Sequence, residues 1–178
     1  MYQFHFTEEQ RARVLIEARR RIDCNASAGL VGKRGGPTSG SVSDQAHFYG
    51  CAGEMAVAGY LGLEDYLFLE TKPVADSFDL PGKIEVKTRL KHSYDLLIPV
   101  DDNPEKLFVL VTIWGLTTLI QGWALGSDVM LAKYLKSYRQ GSTVYSIPKL
   151  RLNPISTLRS HLCKDPMHPL SAESCETK

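Results

Sequence analysis

The chain has 178 residues, 43% hydrophobic and 23% charged, an ordinary globular mix that excludes disordered, collagen-like and low-complexity classes. At this length one domain is expected, and it buries roughly 70% of the surface its unfolded form exposes, so neither disulfides nor zinc is needed for folding. The net charge of +1 hides an uneven distribution: seven basic and two acidic side chains in residues 11–34, six and thirteen in 35–132, and seven and none in 133–164.

In chain order, Thr7 and Gln10 form a capping box, and Val14, Leu15, Ala18 and Ile22 recur near helical spacing. A helix is predicted over about 8–23, with Arg11, Arg13, Arg19, Arg20 and Arg21 on its remaining faces. The glycine-rich stretch 29–43 reads as a loop that carries Lys33 and Arg34 and orders on a ligand. A second helix is predicted over 44–61, ending at Gly62 as C-cap. Its small residues Gly50, Ala52, Gly53, Ala56, Ala58 and Gly59 mark close packing, and Glu54 stands mid-helix, where an acid is less expected than in the first turn.

A meander of short strands follows, predicted over 66–69, 78–80, 83–88, 96–100, 107–114 and 118–125. Ser127 or Asp128 caps a helix running to about 138, a strand covers 144–147, and Asn153 with Pro154 opens a last short helix. The longest apolar stretch, 107–120, is broken by Thr112, Gly115, Thr117 and Thr118 and is too short to span a membrane. The amino end lacks the pattern of a secretory signal, so a cytoplasmic protein is expected. Cys24, Cys51, Cys163 and Cys175 form no C-x-x-C pair and read as reduced thiols. A zinc site from Cys163, Cys175, His161 and His168 matches no zinc spacing.

The segment 79–87, Asp-Leu-Pro-Gly-Lys-Ile-Glu-Val-Lys, concentrates the chemistry. Its Pro81–Gly82 turn joins two short strands, and period two puts Glu85 and Lys87 on one face with Asp79 just across the turn. Carboxylate oxygens suit Mg²⁺, which keeps waters and room for a phosphate. With a lysine nearby to orient water or stabilise charge, the set fits phosphodiester hydrolysis. Glu54 adds a third carboxylate if its helix packs beside the hairpin. An E-x-K tripeptide alone reads as a surface ion pair on an outer strand face; the conjunction of helix glutamate, Asp, tight turn and Ile-Glu-Val-Lys-Thr carries the reading.

Gly53-Glu54, Asp79-Leu80 and Ile84-Glu85-Val86-Lys87-Thr88 resemble the PD-(D/E)XK nuclease superfamily, of restriction-endonuclease-like fold. The segments 96–104 and 121–123 look like those of small phage-encoded and mobile-element members, and the resemblance covers about 45–150. It implies an α/β (α+β) fold with a mixed central sheet flanked by helices, in the order helix, three strands, helix, strand. It also implies Mg²⁺-dependent DNA cleavage, with Mn²⁺ able to substitute. By position, Asp79 and Glu85 are metal ligands, Val86 offers its carbonyl, Lys87 is the catalytic lysine and Glu54 the helix acid. Phe78 stands where the family name has proline, and the helix expected between the third and fourth strands shrinks to a turn at 103–106.

Asp65 with Glu70 and Lys72 mimics the pattern, but no turn folds Asp65 against Glu70 and Pro73 ends the strand at once. Asp76 competes with the better placed Asp79. Arg89 and Lys91 continue the Lys87 face and suit phosphate contact, or form a solvated strand end. His47 and His92 read as surface or capping residues, with proton carriers or phosphate donors near the site as the alternative, and Trp114 and Trp123 read most simply as core, with base stacking as the alternative. The expectation is a Mg²⁺-dependent endodeoxyribonuclease acting on duplex or branched DNA. Lys33, Arg34, Arg89, Lys91, the Arg-rich first helix and a basic extension over 127–164 hold the backbone, and a homodimer fits two-strand cutting. The alternatives are a silent nucleic-acid-binding module of the same fold and an RNA-directed nuclease.

Overall fold

The computed structural model describes residues 1–27, 41–67, 78–115, 117–137, 142–164 and 170. The capping box forms as read: the Thr7 N–H donates to Gln10 Oε1 at 2.9 Å and the Gln10 N–H to Thr7 Oγ1 at 3.1 Å. These bonds satisfy two donors that a helix start otherwise leaves orphaned. After β1 (Tyr2–Phe4), α1 therefore runs Glu8–Ser27, a turn longer than predicted. Its buried face is Val14, Glu17 and Ala18, whereas Leu15, expected in the apolar stripe, is 58% exposed. The second helix, α2 (Ser41–Leu61), begins inside the stretch expected as loop and ends at Gly62, whose φ of +75° is the left-handed C-cap conformation. Lys33 and Arg34 lie outside the described residues.

Seven strands follow two sheets: β2 (Ile84–Arg89), β3 (Leu96–Pro99), β4 (Leu107–Trp114), β5 (Thr117–Leu125), β6 (Leu135–Ser137) and β7 (Thr143–Ile147) join β1. One sheet has the order β1-β5-β4-β2 and the other β3-β7-β6. The chain is thus a mixed α+β protein. The expected meander does not form, because β2 and β4 pair in parallel, Glu85 opposite Phe108 and Lys87 opposite Leu110. Parallel neighbours need a crossover, and the crossover is residues 90–106, with β3 contributed to the second sheet on the way.

The four-stranded sheet is covered on both faces. Ile84, Val86, Val109, Val111 and Ile113 meet Val14, Ala18, Met55 and Leu158 of the helices, including α4 (Leu158–Leu162). Phe108, Leu110 and Ala124 meet Leu96, Ile98 and Ile147 of the second sheet. This explains why β4 is buried from Leu107 through Ile113 without alternation. Glu85 and Lys87 project to the face that carries the second sheet.

Four further expectations are corrected. The helix predicted to run to 138 is a short α3 (Gly126–Val129), a 3-10 turn at Ala132–Tyr134 and then β6, because Leu135–Ser137 finds a ladder in β7 and tertiary pairing overrides helix propensity. The strand predicted over 78–80 is a single bridge from Leu80 to Ile84, and Tyr66 closes a 3-10 turn instead of opening a strand. Pro154 is extended, with ψ 136°, so the last helical turns begin at Ile155. Among the described residues no helix is long and apolar enough to cross a membrane.

The small residues of α2 have their predicted effect where the helix crosses β2. A Cβ on Gly53 would stand 1.9 Å from Thr88 Oγ1 and 3.2 Å from its Cβ, and one on Gly59 would stand 2.6 Å from the Phe4 ring. Gly53→Ala is therefore expected to destabilise the protein by about 1–3 kcal/mol through overpacking, seen as a lower denaturation midpoint. Gly50→Ala, with nothing within 4 Å of the new methyl, is expected to be neutral or stabilising by up to about 1 kcal/mol. Equal midpoints for the two variants would refute this account of the helix packing.

Candidate active site

The site is built on the edge of β2 away from β4, which pairs with no other strand among the described residues. The turn after Leu80 uses left-handed conformations at Gly82, φ +80°, and Lys83, φ +58°, and folds residue 80 back on residue 84. Leu80 and Ile84 exchange N–H···O bonds of 3.2 and 3.3 Å. That hairpin delivers the Asp79 carboxylate to the strand edge, where Oδ2 accepts the Val86 N–H at 2.7 Å. The N–H and C=O of one strand residue point the same way, so the Val86 carbonyl faces the same edge as Asp79.

Glu85 and Lys87 share the adjacent face, as the alternation requires, and bond at 2.8 Å. Two residues from the β3–β4 connection join them. Lys87 Nζ also reaches Asp102 at 3.2 Å, while Lys106 Nζ lies 2.9 Å from Glu85 Oε2 and 3.0 Å from Asp102 Oδ1. The result is a closed ring of two carboxylates and two ammonium groups, each carboxylate shared by both lysines. Phe108 lies 5.6 Å from the Lys87 ammonium and Phe78 lies 5.8 Å from that of Lys106. Burial pushes the Asp102 carboxyl up, but hydrogen bonds and charge from Lys106 and Lys87 outweigh it and hold its pKa low. Burial pushes Lys106 down, and Glu85 with Asp102 outweighs that and raises it. Sequence reasoning missed Asp102 and Lys106; their i,i+4 spacing was a signal, but in a turn it pointed to no particular strand.

Glu54 does not join this ring. It is buried on α2, which packs on the Val86 and Thr88 side of β2, whereas Glu85 and Lys87 occupy the opposite face. Arg21 of α1 grips it, Nη1 to Oε1 at 2.8 Å and Nη2 to Oε2 at 2.7 Å. The Arg21 Nε donates to Glu17 at 2.8 Å, and Glu17 also accepts from Arg20 at 2.7 and 2.9 Å. Burial opposes the Arg21 cation, yet the two carboxylates raise its pKa. The helix acid expected as a metal ligand is thus the anchor of an α1–α2 ion network. Of the Arg-rich face expected to grip a backbone, Arg21 and Arg13 are engaged within the fold, Arg13 donating to the Glu64 carbonyl at 3.0 Å, while Arg11, Arg19 and Arg20 are exposed, Arg19 in a surface pair with Asp23 at 3.2 Å.

Among the described residues no three His, Cys, Asp or Glu side chains gather as a metal-holding group. The oxygen donors nonetheless suit a hard cation in kind. Asp79 and the Val86 carbonyl line the edge, and the Lys106 ammonium stands between Glu85 and Asp102 as a cation held by two carboxylates.

The remaining candidates separate cleanly. Arg89 lies over the Tyr94 ring at 4.8 Å, and Lys91 lies 5.7 Å from Tyr94 and 5.8 Å from Trp114. His92 is a structural bridge: Nδ1 is 2.8 Å from Thr112 Oγ1, and its carbonyl accepts from Lys149. His47 is half-buried on α2. Asp65 is exposed in the 3-10 turn, while Glu70, Lys72 and Asp76 lie outside the described residues. Burial pushes the Cys51 thiol up to about 12, which makes it inert at neutral pH. His161 packs on Trp123 and Cys163 donates to the Leu170 carbonyl, while His168 and Cys175 lie outside the described residues. Trp123 is core, its Nε1 donating to Thr157 Oγ1 at 3.0 Å. Trp114 is 58% exposed and not core, because the cover from Leu96, Ile98 and Ile147 extends along β4 only to Leu110. Comparison with protein-family models, curated proteins and solved structures finds no match to this chain.

Arg21→Ala leaves Glu17 and Glu54 buried with less compensation and is expected to cost about 3–5 kcal/mol of stability, measured by denaturant unfolding. The arginine contacts outweigh burial and hold the Glu17 carboxyl low. A carboxyl with a depressed folded pKa stabilises above its unfolded value, near 4.3 for Glu, and loses that contribution as pH falls through the folded value. The native protein is therefore expected to lose stability below about pH 4, and Arg21→Ala to lose less over the same range. Parallel acid profiles for the two proteins would refute the network's role.

Proposed function

We propose that this chain is a Mg²⁺-dependent nuclease that hydrolyses phosphodiester bonds of DNA at the edge of β2. The observation that carries the reading is the Asp79 carboxylate fixed on the Val86 N–H beside the Glu85–Lys87 pair on one strand. That arrangement aims an acid and a peptide carbonyl at one edge with an acid–ammonium pair on the adjacent face, a grouping that supports the resemblance to PD-(D/E)XK nucleases. Asp79, Glu85 and the Val86 carbonyl would hold the cation, which supplies Lewis acidity at the phosphoryl oxygen and a water of lowered pKa.

The chain's own part is to position groups and place charge. Lys87 holds Glu85 now; released toward a phosphate, its ammonium stabilises negative charge developing on the phosphoryl oxygens and orients the attacking water. When Lys87 turns away, Lys106 still pairs with Asp102 and Glu85, and the one negative charge left in the ring is what a bound cation would offset. A second reading, a nucleic-acid-binding module without cleavage, is favoured by one observation, the complete satisfaction of both carboxylates by lysines.

The deciding experiment incubates purified protein with supercoiled plasmid, linear duplex and a four-way junction in Mg²⁺, Mn²⁺ or EDTA. Metal-dependent cleavage is expected, lost by about 10²–10⁴-fold or more in Asp79→Ala and Glu85→Ala. Mg²⁺ is expected to raise the melting temperature of the native protein, by up to about 2.7 kcal/mol of stabilisation at a hundredfold excess over its dissociation constant, and to do so less in Asp79→Ala. Cleavage retained in both variants would overturn the assignment. Absence of cleavage and of any metal-induced shift, with DNA binding intact, would favour the second reading.

A further inference from the structure

We propose that Trp114, Tyr94, Arg89 and Lys91 form a stacking platform for an unpaired base of a single-stranded nucleic acid, at the carboxyl end of the strand that carries Glu85 and Lys87. The inference deepens the proposed function, since it rests on the chain acting on nucleic acid, but it does not require cleavage.

Strand geometry puts the four side chains together. Arg89 follows Glu85 and Lys87 on the same face of β2, about 13 Å beyond Glu85 at roughly 3.3 Å per residue, a reach of a few nucleotides. Opposite Arg89 in the parallel ladder is Thr112, and Trp114 lies two residues further along β4 on that face. The loop after β2 returns Tyr94 to the same place. There the Arg89 guanidinium lies 4.8 Å from the Tyr94 ring centre, and the Lys91 ammonium is within 6 Å of both rings, at 5.7 Å from Tyr94 and 5.8 Å from Trp114.

Three properties of the patch select the ligand. Trp114 is 58% and Tyr94 38% exposed, costly for rings of this size unless something covers them. Neither Arg89 nor Lys91 has a carboxylate partner among the described residues, in contrast to the lysines of the ring below. Arg89 Nε is buried with no hydrogen-bond partner, and the Nη groups of the same guanidinium, which form no hydrogen bond among the described residues, are what a phosphate oxygen would reach. Exposed rings next to cations that have no carboxylate partner among the described residues suit a strand that offers both an unstacked base and a phosphate. A blunt duplex keeps its bases stacked and offers only phosphates. Tryptophan and tyrosine beside basic residues also occur at anionic lipid surfaces, so vesicles belong in the test.

The chain's two tryptophans make the platform directly readable, because Trp123 is buried and hydrogen-bonded while Trp114 is not. A short oligothymidylate, the matched blunt duplex and anionic phospholipid vesicles are titrated into the native protein and into Trp114→Phe, in EDTA, with intrinsic fluorescence and anisotropy of a labelled oligonucleotide as readouts. The single strand is expected to quench the native protein and not Trp114→Phe. Trp114→Ala and Tyr94→Ala are each expected to weaken its binding about five- to a hundredfold, with melting temperatures unchanged at these exposed positions. Quenching that persists in Trp114→Phe, equal quenching by the duplex, or a response to vesicles and not to the oligonucleotide would each overturn the proposal. Glu85→Gln carries the same titration. Quenching there without cleavage by any form of the protein would sustain the platform and reject the nuclease; cleavage by the native protein without quenching would do the reverse.

Discussion

The site depends on β2 lying at the edge of its sheet. One side of the strand is bound in parallel to β4, so its backbone is fixed in register by buried neighbours. The other side meets no strand among the described residues, and there the Leu80 bridge satisfies the Ile84 N–H and C=O and the Asp79 carboxylate the Val86 N–H. Edge strands usually need covering to prevent pairing with other chains. Here part of the cover is the acid itself, so the group that closes the edge also brings a negative charge within reach of the Val86 carbonyl. An interior strand would have no free N–H there for Asp79 to bind.

Two ion networks flank this strand on opposite faces, and they differ in what they can release. On the helical side Glu54, Glu17 and Arg21 are arranged bidentately at 2.7–2.8 Å and lock α1 to α2. Removing any member strands a buried charge, so the network holds its arrangement. On the other side the acid–lysine ring uses single contacts from flexible lysine stems at 2.8–3.2 Å and remains partly open to solvent. Lysine ammonium groups are compact point charges that re-pair at small cost. The ring is the network that can exchange one cation for another without unfolding its surroundings.

Much of this was legible in sequence because it is local. The capping box, the Gly62 stop, the Pro81–Gly82 turn and the shared face of Glu85 and Lys87 are each decided within a few residues, and each forms. What failed was non-local. Nothing near Leu135 says that a strand at 143–147 will pair with it, and nothing near β3 says that it will leave the sheet and turn a meander into a parallel crossover. Glu54 illustrates the same limit: an acid in mid-helix does signal a buried partner, but whether that partner is a metal or Arg21, thirty-three residues earlier, is decided by how α1 packs. Asp102 and Lys106 reach the site only because the crossover carries them there.

The exposed aromatics follow from that crossover too. A parallel pair ends with both strands pointing the same way, so the carboxyl ends of β2 and β4 open together, and the second sheet, whose contribution comes from Leu96, Ile98 and Ile147, covers the face only as far as Leu110. Beyond that limit Thr112 is buried by polar contacts with His92 and Gln121, and Trp114 emerges into solvent. The strand therefore runs from a charge-balanced ring at Glu85 and Lys87 to Arg89 and, just past its end, Lys91, cations beside exposed rings with no carboxylate partner among the described residues. A polyanion laid along it would meet a balanced ring beside the Asp79 carboxylate at the first end and, at the second, two cations with no carboxylate partner among the described residues. On the proposed function, electrostatic capture would begin at the aromatic end, and the groups of the ring would engage what that end has oriented.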